Sequence, residues 1–183
     1  VLRLHRVEVH VDCPVHGRVE GSVLQEVAAP TRGSSPSPPS AAASAPPSTT
    51  LLDFLRNDLG VMGPKRVCDR GSCGACTVLL DGQVVDSCSM LAVDAVGKEI
   101  TTVEGIGTPD NLSHLQKAFI EKDALQCGFC TPGMVVTCTA MLKENPNPSR
   151  EEIRQGLSGN LCRCGTYQNI IEAVEHASRT GGK

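Results

Sequence analysis

Apolar residues alternate with polar ones at the start of the chain. Val7, Val9 and Val11, then Val19, Val23 and Val27, predict two short β-strands within residues 1–29. Residues 30–47 are mostly Pro, Ser and Ala, cannot build a packed face, and read as a flexible linker. The period changes at Thr50, where Leu51, Leu52, Phe54, Leu55 and Leu59 suit a short amphipathic helix. Thr50 with Asp53 is its capping box and Gly60 its stop. Farther on, residues 77–80 and 83–86 flank Asp81-Gly82, a two-residue hairpin signal, and residues 99–103 read as another strand.

The second half has helical spacing. Thr108-Pro109 reads as a helix start, continued by Leu112, Leu115 and Phe119. Thr131-Pro132 opens a helix toward Lys143 with Met134, Val135, Cys138, Met141 and Leu142 on its apolar side, ended by residues 145–148. Ser149 and Glu152 form a capping box for a shorter helix, and a last one over residues 167–177 buries Ile170, Ile171, Val174 and Ala177. A strand-rich half followed by a four-helix half is an α+β organisation.

Composition narrows the function classes. A net charge of −3 gives no basic excess for nucleic acid, and the apolar runs are too short to span a bilayer. With three Phe, one Tyr and no Trp, the chain lacks stacking platforms for bases, flavins or sugars. It has neither a Gly-x-Gly-x-x-Gly turn after a strand nor a Gly-x4-Gly-Lys-Ser/Thr loop, so nucleotide cradles are absent. An organic substrate site within this chain is therefore not expected.

The chemistry lies in the cysteines. Eight of the ten fall into two groups: Cys68, Cys73, Cys76 and Cys88, then Cys127, Cys130, Cys162 and Cys164. The first group has the Cys-x4-Cys-x2-Cys plus distant Cys spacing of a plant-type [2Fe–2S] site. The second joins a Cys-x2-Cys to a remote Cys-x-Cys, each in a turn before a predicted helix, so two helix N-termini, with donors lacking internal partners, face one anionic core. Zinc thiolates are the rival, although the x4 loop and the one-residue Cys162-Arg163-Cys164 spacing do not match a usual zinc ribbon. Disulfides suit small secreted scaffolds better than a chain of 183 residues. Cys138 reads as a core residue, and His10-x2-Cys13-x2-His16 offers only three donors.

Four ordered motifs resemble the small iron–sulfur subunit of the molybdenum hydroxylases, the xanthine oxidase and aldehyde oxidoreductase family. They are Thr49-Thr50-Leu51-Leu52-Asp53-Phe54-Leu55-Arg56, the run from Cys68 to Val78, Gln126-Cys127-Gly128-Phe129-Cys130-Thr131-Pro132-Gly133-Met134, and Gly159-Asn160-Leu161-Cys162-Arg163-Cys164. The resemblance covers about residues 48–178. It implies a β-grasp, plant-ferredoxin-like domain over 1–105, with the linker at 30–47, and a four-helix [2Fe–2S] domain over 106–183. It also implies electron transfer from a molybdopterin centre in a large partner subunit, through two [2Fe–2S] clusters, to a FAD-binding subunit or another acceptor. The overall reaction is then hydroxylation of an aldehyde or N-heterocycle with oxygen from water.

By the same resemblance all eight cysteines of the two groups are cluster ligands, and Gln126 and Cys164 contact the pterin. Two departures stand out: the family's Asn-Gly turn between the first strands is missing, and Gly165-Thr166-Tyr167 replaces Thr-Gly-Tyr. The alternative function is a free-standing two-cluster ferredoxin. The expected location is the cytoplasm, since a periplasmic site needs an export signal upstream of Val1.

Overall fold

The computed structural model describes residues 3–13, 17–27 and 43–181. Strands β1 (Arg3–Cys13) and β2 (Gly17–Val27) pair antiparallel along their full length, from Arg3 opposite Val27 to Cys13 opposite Gly17. They are longer than the short strands expected. The register places Val7 across from Val23 and Val11 across from Val19, and the backbone ladder then runs on through the polar positions, which need no apolar side chain to pair. The donor set read around Cys13 includes His16, which lies outside the described residues.

The linker reading is corrected at its C-terminal end. Residues 28–42 lie outside the described residues, but Ala43–Ala45 form β3, parallel to β1. Ala45 is buried with Leu51, Phe54 and Ile100. A side chain this small lets an edge strand lie directly on the core, and Pro46-Pro47 end the strand because neither ring carries an N–H.

Leu51–Asp53 (α1) passes into a π-helical turn, Phe54–Asp58, closed by the Leu59 N–H on the Phe54 carbonyl at 3.1 Å. Leu51, Leu52, Phe54 and Leu55 are all buried, a stripe too broad for one face of a short α-helix. The Thr50 hydroxyl accepts from Asp53 N at 3.1 Å and donates to Asp53 Oδ2 at 3.0 Å, so the cap forms with the return bond to the hydroxyl rather than to the backbone.

Strands β4 (Thr77–Leu80) and β5 (Gln83–Asp86) form the expected hairpin. Asp81 and Gly82 both take left-handed φ, 50° and 82°, as a type I′ turn requires. Asp81 also accepts from Glu99 N, tying the turn to β6 (Glu99–Thr101). That strand stops short of the predicted residue 103 because Val103–Ile106 form the short helix α2. The sheet order is β3-β1-β2-β6-β4-β5, with β2 and β6 parallel and β4 antiparallel to both its neighbours.

The second half carries α3 (His114–Glu121), α4 (Thr131–Glu144), α5 (Arg150–Gly156) and α6 (Tyr167–Thr180). The start read at Thr108-Pro109 is wrong. Thr108 instead spends its hydroxyl and carbonyl on Asn111 N, making a tight turn. The working cap is Ser113, whose hydroxyl accepts from Gln116 N at 3.2 Å while Gln116 accepts from Ser113 N at 2.8 Å. The same reciprocal box forms between Ser149 and Glu152, as expected. These helices enclose a second core around Phe119, Met134, Ile153, Ile170 and Val174, in which Cys138 is fully buried.

Candidate metal centre

Cys68, Cys73 and Cys76 sit in the loop before β4, and Cys88 in the 3-10 turn Ser87–Ser89 after β5. Three left-handed residues, Asp69, Gly71 and Gly74, curl that loop. Asp69 lacks the freedom of glycine, and Arg66 steadies it by an ion pair of 2.7 Å while also pairing with Asp53 at the α1 cap. The curl aims amides at sulfur: Gly71 N–H donates to Cys88 Sγ at 3.2 Å and Ser72 N–H to Cys68 Sγ at 3.3 Å. Thiol faces thiol in two pairs, Cys68 with Cys73 and Cys76 with Cys88.

These thiols differ in how readily they ionise. The Ser72 and Arg70 amides bring Cys68 down to about 7, whereas burial pushes Cys73 up and drives Cys76 to about 12. A cation bound by the group would supply the stabilisation that burial denies the Cys76 thiolate.

The second group is built from two helix starts. Cys130 is the N-cap residue of α4, with Cys127 close enough for its charge to be felt, and Cys162 and Cys164 lie in the turn before α6. The Cys130 and Cys162 thiols face each other. Burial, with Cys162 adding to it, drives Cys130 to about 12. Burial also works against Cys162, but the Thr166 hydroxyl, 3.2 Å from its sulfur, the Thr166 amide, the Cys130 thiol and the Cys164 amide outweigh it and bring the thiol to about 7. Tyr167 braces this turn, its hydroxyl accepting from Cys162 N at 2.7 Å and donating to the Asn160 carbonyl at 3.3 Å. Cys164 is half-buried, and Gln126 is exposed in the bend before Cys127.

One cleft of about 510 Å³ joins the two groups, lined by Cys68 and Cys73 from the first and by Cys127, Cys130 and Cys162 from the second. The segments around it touch through backbone. Leu161 N–H donates to the Cys73 carbonyl at 2.9 Å, and the buried Asn160 amide donates to the Gly74 carbonyl at 3.1 Å. A Cβ on Gly133 would run into that same carbonyl, and one on Gly74 would come within 2.7 Å of the Gly159 oxygen. Sequence reasoning singled out neither Asn160, Thr166 and Tyr167 as supports nor this contact. Its one available signal was the place of Asn160 two residues before Cys162.

The donor set fits a two-metal sulfide core. The nine cysteines from Cys68 to Cys164 all carry unbridged thiols. Among the described residues no three His, Cys, Asp or Glu side chains converge to hold a single ion, and three thiol pairs form, Cys68 with Cys73, Cys76 with Cys88 and Cys130 with Cys162, in keeping with a core that takes two thiolates on each iron.

Comparison with known proteins agrees. A family profile described as "2Fe-2S iron-sulfur cluster binding domain" matches residues 37–101, and one described as "[2Fe-2S] binding domain" matches residues 102–175. The aldehyde oxidoreductase iron-sulfur-binding subunit PaoA of Escherichia coli is 48% identical over 145 residues, covering 71% of this chain and 63% of PaoA, so the chain spans under two thirds of that relative's length. The nicotinate dehydrogenase small FeS subunit of Eubacterium barkeri is 48% identical over 131 residues, covering 72% of this chain and 83% of the relative. Among solved structures, quinoline 2-oxidoreductase from Pseudomonas putida 86 matches with a TM-score of 0.72 at 38% identity, covering 96% of this chain and 94% of the matched chain. With two thiol groups flanking one cleft, both domain profiles matched in order and relatives sharing about half their residues, the chain belongs to the small iron–sulfur subunits of the molybdenum hydroxylases, the xanthine oxidase and aldehyde oxidoreductase family.

Proposed function

We propose that this chain relays single electrons between a molybdopterin-binding partner subunit and a flavin-binding subunit or other acceptor. The supporting observation is the shared cleft, where the Leu161 amide, adjacent to Cys162, donates to the carbonyl of Cys73. In this reading Cys68, Cys73, Cys76 and Cys88 hold one [2Fe–2S] group, and Cys127, Cys130, Cys162 and Cys164 hold the other. The bound groups supply one-electron chemistry. The protein's own part is to hold the thiolates in pairs, to aim the Gly71, Ser72 and Cys164 amides at sulfur, and to keep the segments that carry them in van der Waals contact through the Gly74–Gly133 seam.

A β-grasp domain over 1–105 and a four-helix domain over 106–183 carry the two sites. Val67, Phe129 and Leu161 line the cleft yet are 55%, 49% and 55% exposed, an apolar rim that suits a covering subunit better than a freely diffusing ferredoxin. Among the described residues no helix is long and apolar enough to cross a membrane. The relatives' names point the partner's chemistry toward aldehydes or N-heterocycles such as nicotinate.

The purified protein should contain about four iron and four acid-labile sulfide per chain, show two distinct reduced EPR signals, and bring down a large molybdenum protein. Zinc without sulfide would end the reading. A pure, two-cluster chain that captures no molybdenum protein would favour the independent ferredoxin.

Gln126 and Cys164 are assigned to the pterin edge. An exposed amide before Cys127 can both donate to and accept from a pterin, and a ligand sulfur can accept from its amine. Gln126→Ala should leave both cluster spectra unchanged while slowing their reduction by substrate or lowering pterin retention in the complex. Wild-type reduction with full pterin content would remove the assignment.

A further inference from the structure

A carboxylate stands against one sulfur of the first cysteine group. Asp86 ends β5, opposite Thr77 in the hairpin and two residues before Cys88. Its Oδ1 lies 3.7 Å from Cys76 Sγ. Its Oδ2 lies 3.7 Å from the position a Cβ on Gly71 would take, and Gly71 donates its amide to Cys88 Sγ. Asp86 thus lies between a sulfur of one thiol pair and the loop residue whose amide serves the other thiol of that pair.

Neighbouring charges do not cancel it. Arg66 is engaged by Asp53 and Asp69, and Arg70 is exposed, with its Nε on the Cys68 carbonyl at 3.3 Å. Among the described residues no ion pair to Asp86 is formed. Among the described residues no carboxylate hydrogen-bonds a sulfur of the second group, where the Thr166 hydroxyl lies 3.2 Å from Cys162 Sγ.

We propose that Asp86 sets the reduction potential of the first cluster, holding it lower than the surrounding amide donors alone would. This rests on the relay reading and adds what tunes one of its two sites. Reduction adds one negative charge to the core, with no bond made or broken, and a carboxylate against the core opposes that charge. The Gly71 and Ser72 amides favour it. Asp86 therefore loosens the first cluster's hold on an electron, making that cluster easier to oxidise and harder to reduce. In a half-buried site a unit charge at this range shifts a one-electron equilibrium about tenfold.

The test is an EPR-monitored reductive titration of the intact complex. Asp86→Asn, which keeps the shape and removes the charge, should favour reduction of the first cluster about tenfold, or about 59 mV for a one-electron couple. The second cluster's midpoint should stay in place, and Asp86→Glu should remain near the wild type. An unmoved first midpoint in Asp86→Asn overturns the proposal, as does an equal shift in both variants. Loss of the first signal in Asp86→Asn also overturns it, because the carboxylate would then be a support of the loop. Absence of both signals from the wild type would instead sink the relay itself, and this inference with it.

Discussion

Gly133→Ala is expected to destabilise the protein by about 3 kcal/mol, even though alanine is the better helix former by about 1 kcal/mol. Gly133 is buried in the first turn of α4, and a methyl group there would occupy the place of the Gly74 carbonyl oxygen. That oxygen accepts from the Asn160 amide at 3.1 Å, the Thr77 hydroxyl at 2.7 Å and Thr77 N at 3.3 Å. Displacing it puts three bonds at risk, each worth about 1 kcal/mol net, and more for a buried group left without a partner. Relief by a small shift is blocked because the obstacle is backbone, held at φ 66° and hemmed in by Gly159. Overpacking and lost hydrogen bonds therefore outweigh the propensity gain. Urea unfolding followed by far-UV circular dichroism gives the difference, with Gly159→Ala as the control, since a Cβ there meets nothing within 4 Å. A Gly133→Ala protein as stable as the wild type would mean the seam is not tightly packed.

This seam marks where sequence reading stopped. The β4–β5 hairpin, the starts of α4 and α5 and the local cysteine turns were legible because each signal lies within a few residues: Asp81-Gly82, Thr131-Pro132, Ser149 with Glu152, and the Cys-x2-Cys and Cys-x-Cys spacings. The Gly74, Gly133 and Asn160 contact joins three segments far apart in the chain, and no local pattern carries it. Strand β3 failed to show for a related reason. An Ala-Ser-Ala segment has no apolar signature and becomes a strand only by pairing with Val9–Val11 of β1. The start of α3 was misplaced by a local competition, in which Ser113 and Gln116 satisfy two helix donors while Thr108 closes a turn on Asn111. Asp86 escaped notice because its approach to Cys76 depends on the hairpin register.

Cys130→Ser should remove the second cluster completely, halving iron and sulfide, while the first cluster keeps its EPR signal. A serine hydroxyl ionises far less readily than a thiol and binds iron poorly, and Cys130 is the partner of Cys162 across the turn between two helix starts. The first group stands on other supports. Cys76 and Cys88 are packed with Leu52, and the core behind them is built from Leu51, Phe54, Val78 and Ile100 rather than from α3 to α6. The bonds that cross the seam at Cys73 and Gly74 use backbone carbonyls, and their donors, the Leu161 amide and the Asn160 side chain, do not pass through Cys130. Loss of the second cluster therefore removes a ligand from the helical half without cutting what holds the first thiol pairs. Iron and sulfide analysis with EPR of the dithionite-reduced protein reads the outcome. Loss of both signals would show instead that the two halves fold as one cooperative unit, with the seam passing the disruption from α4 to the Gly71–Gly74 loop.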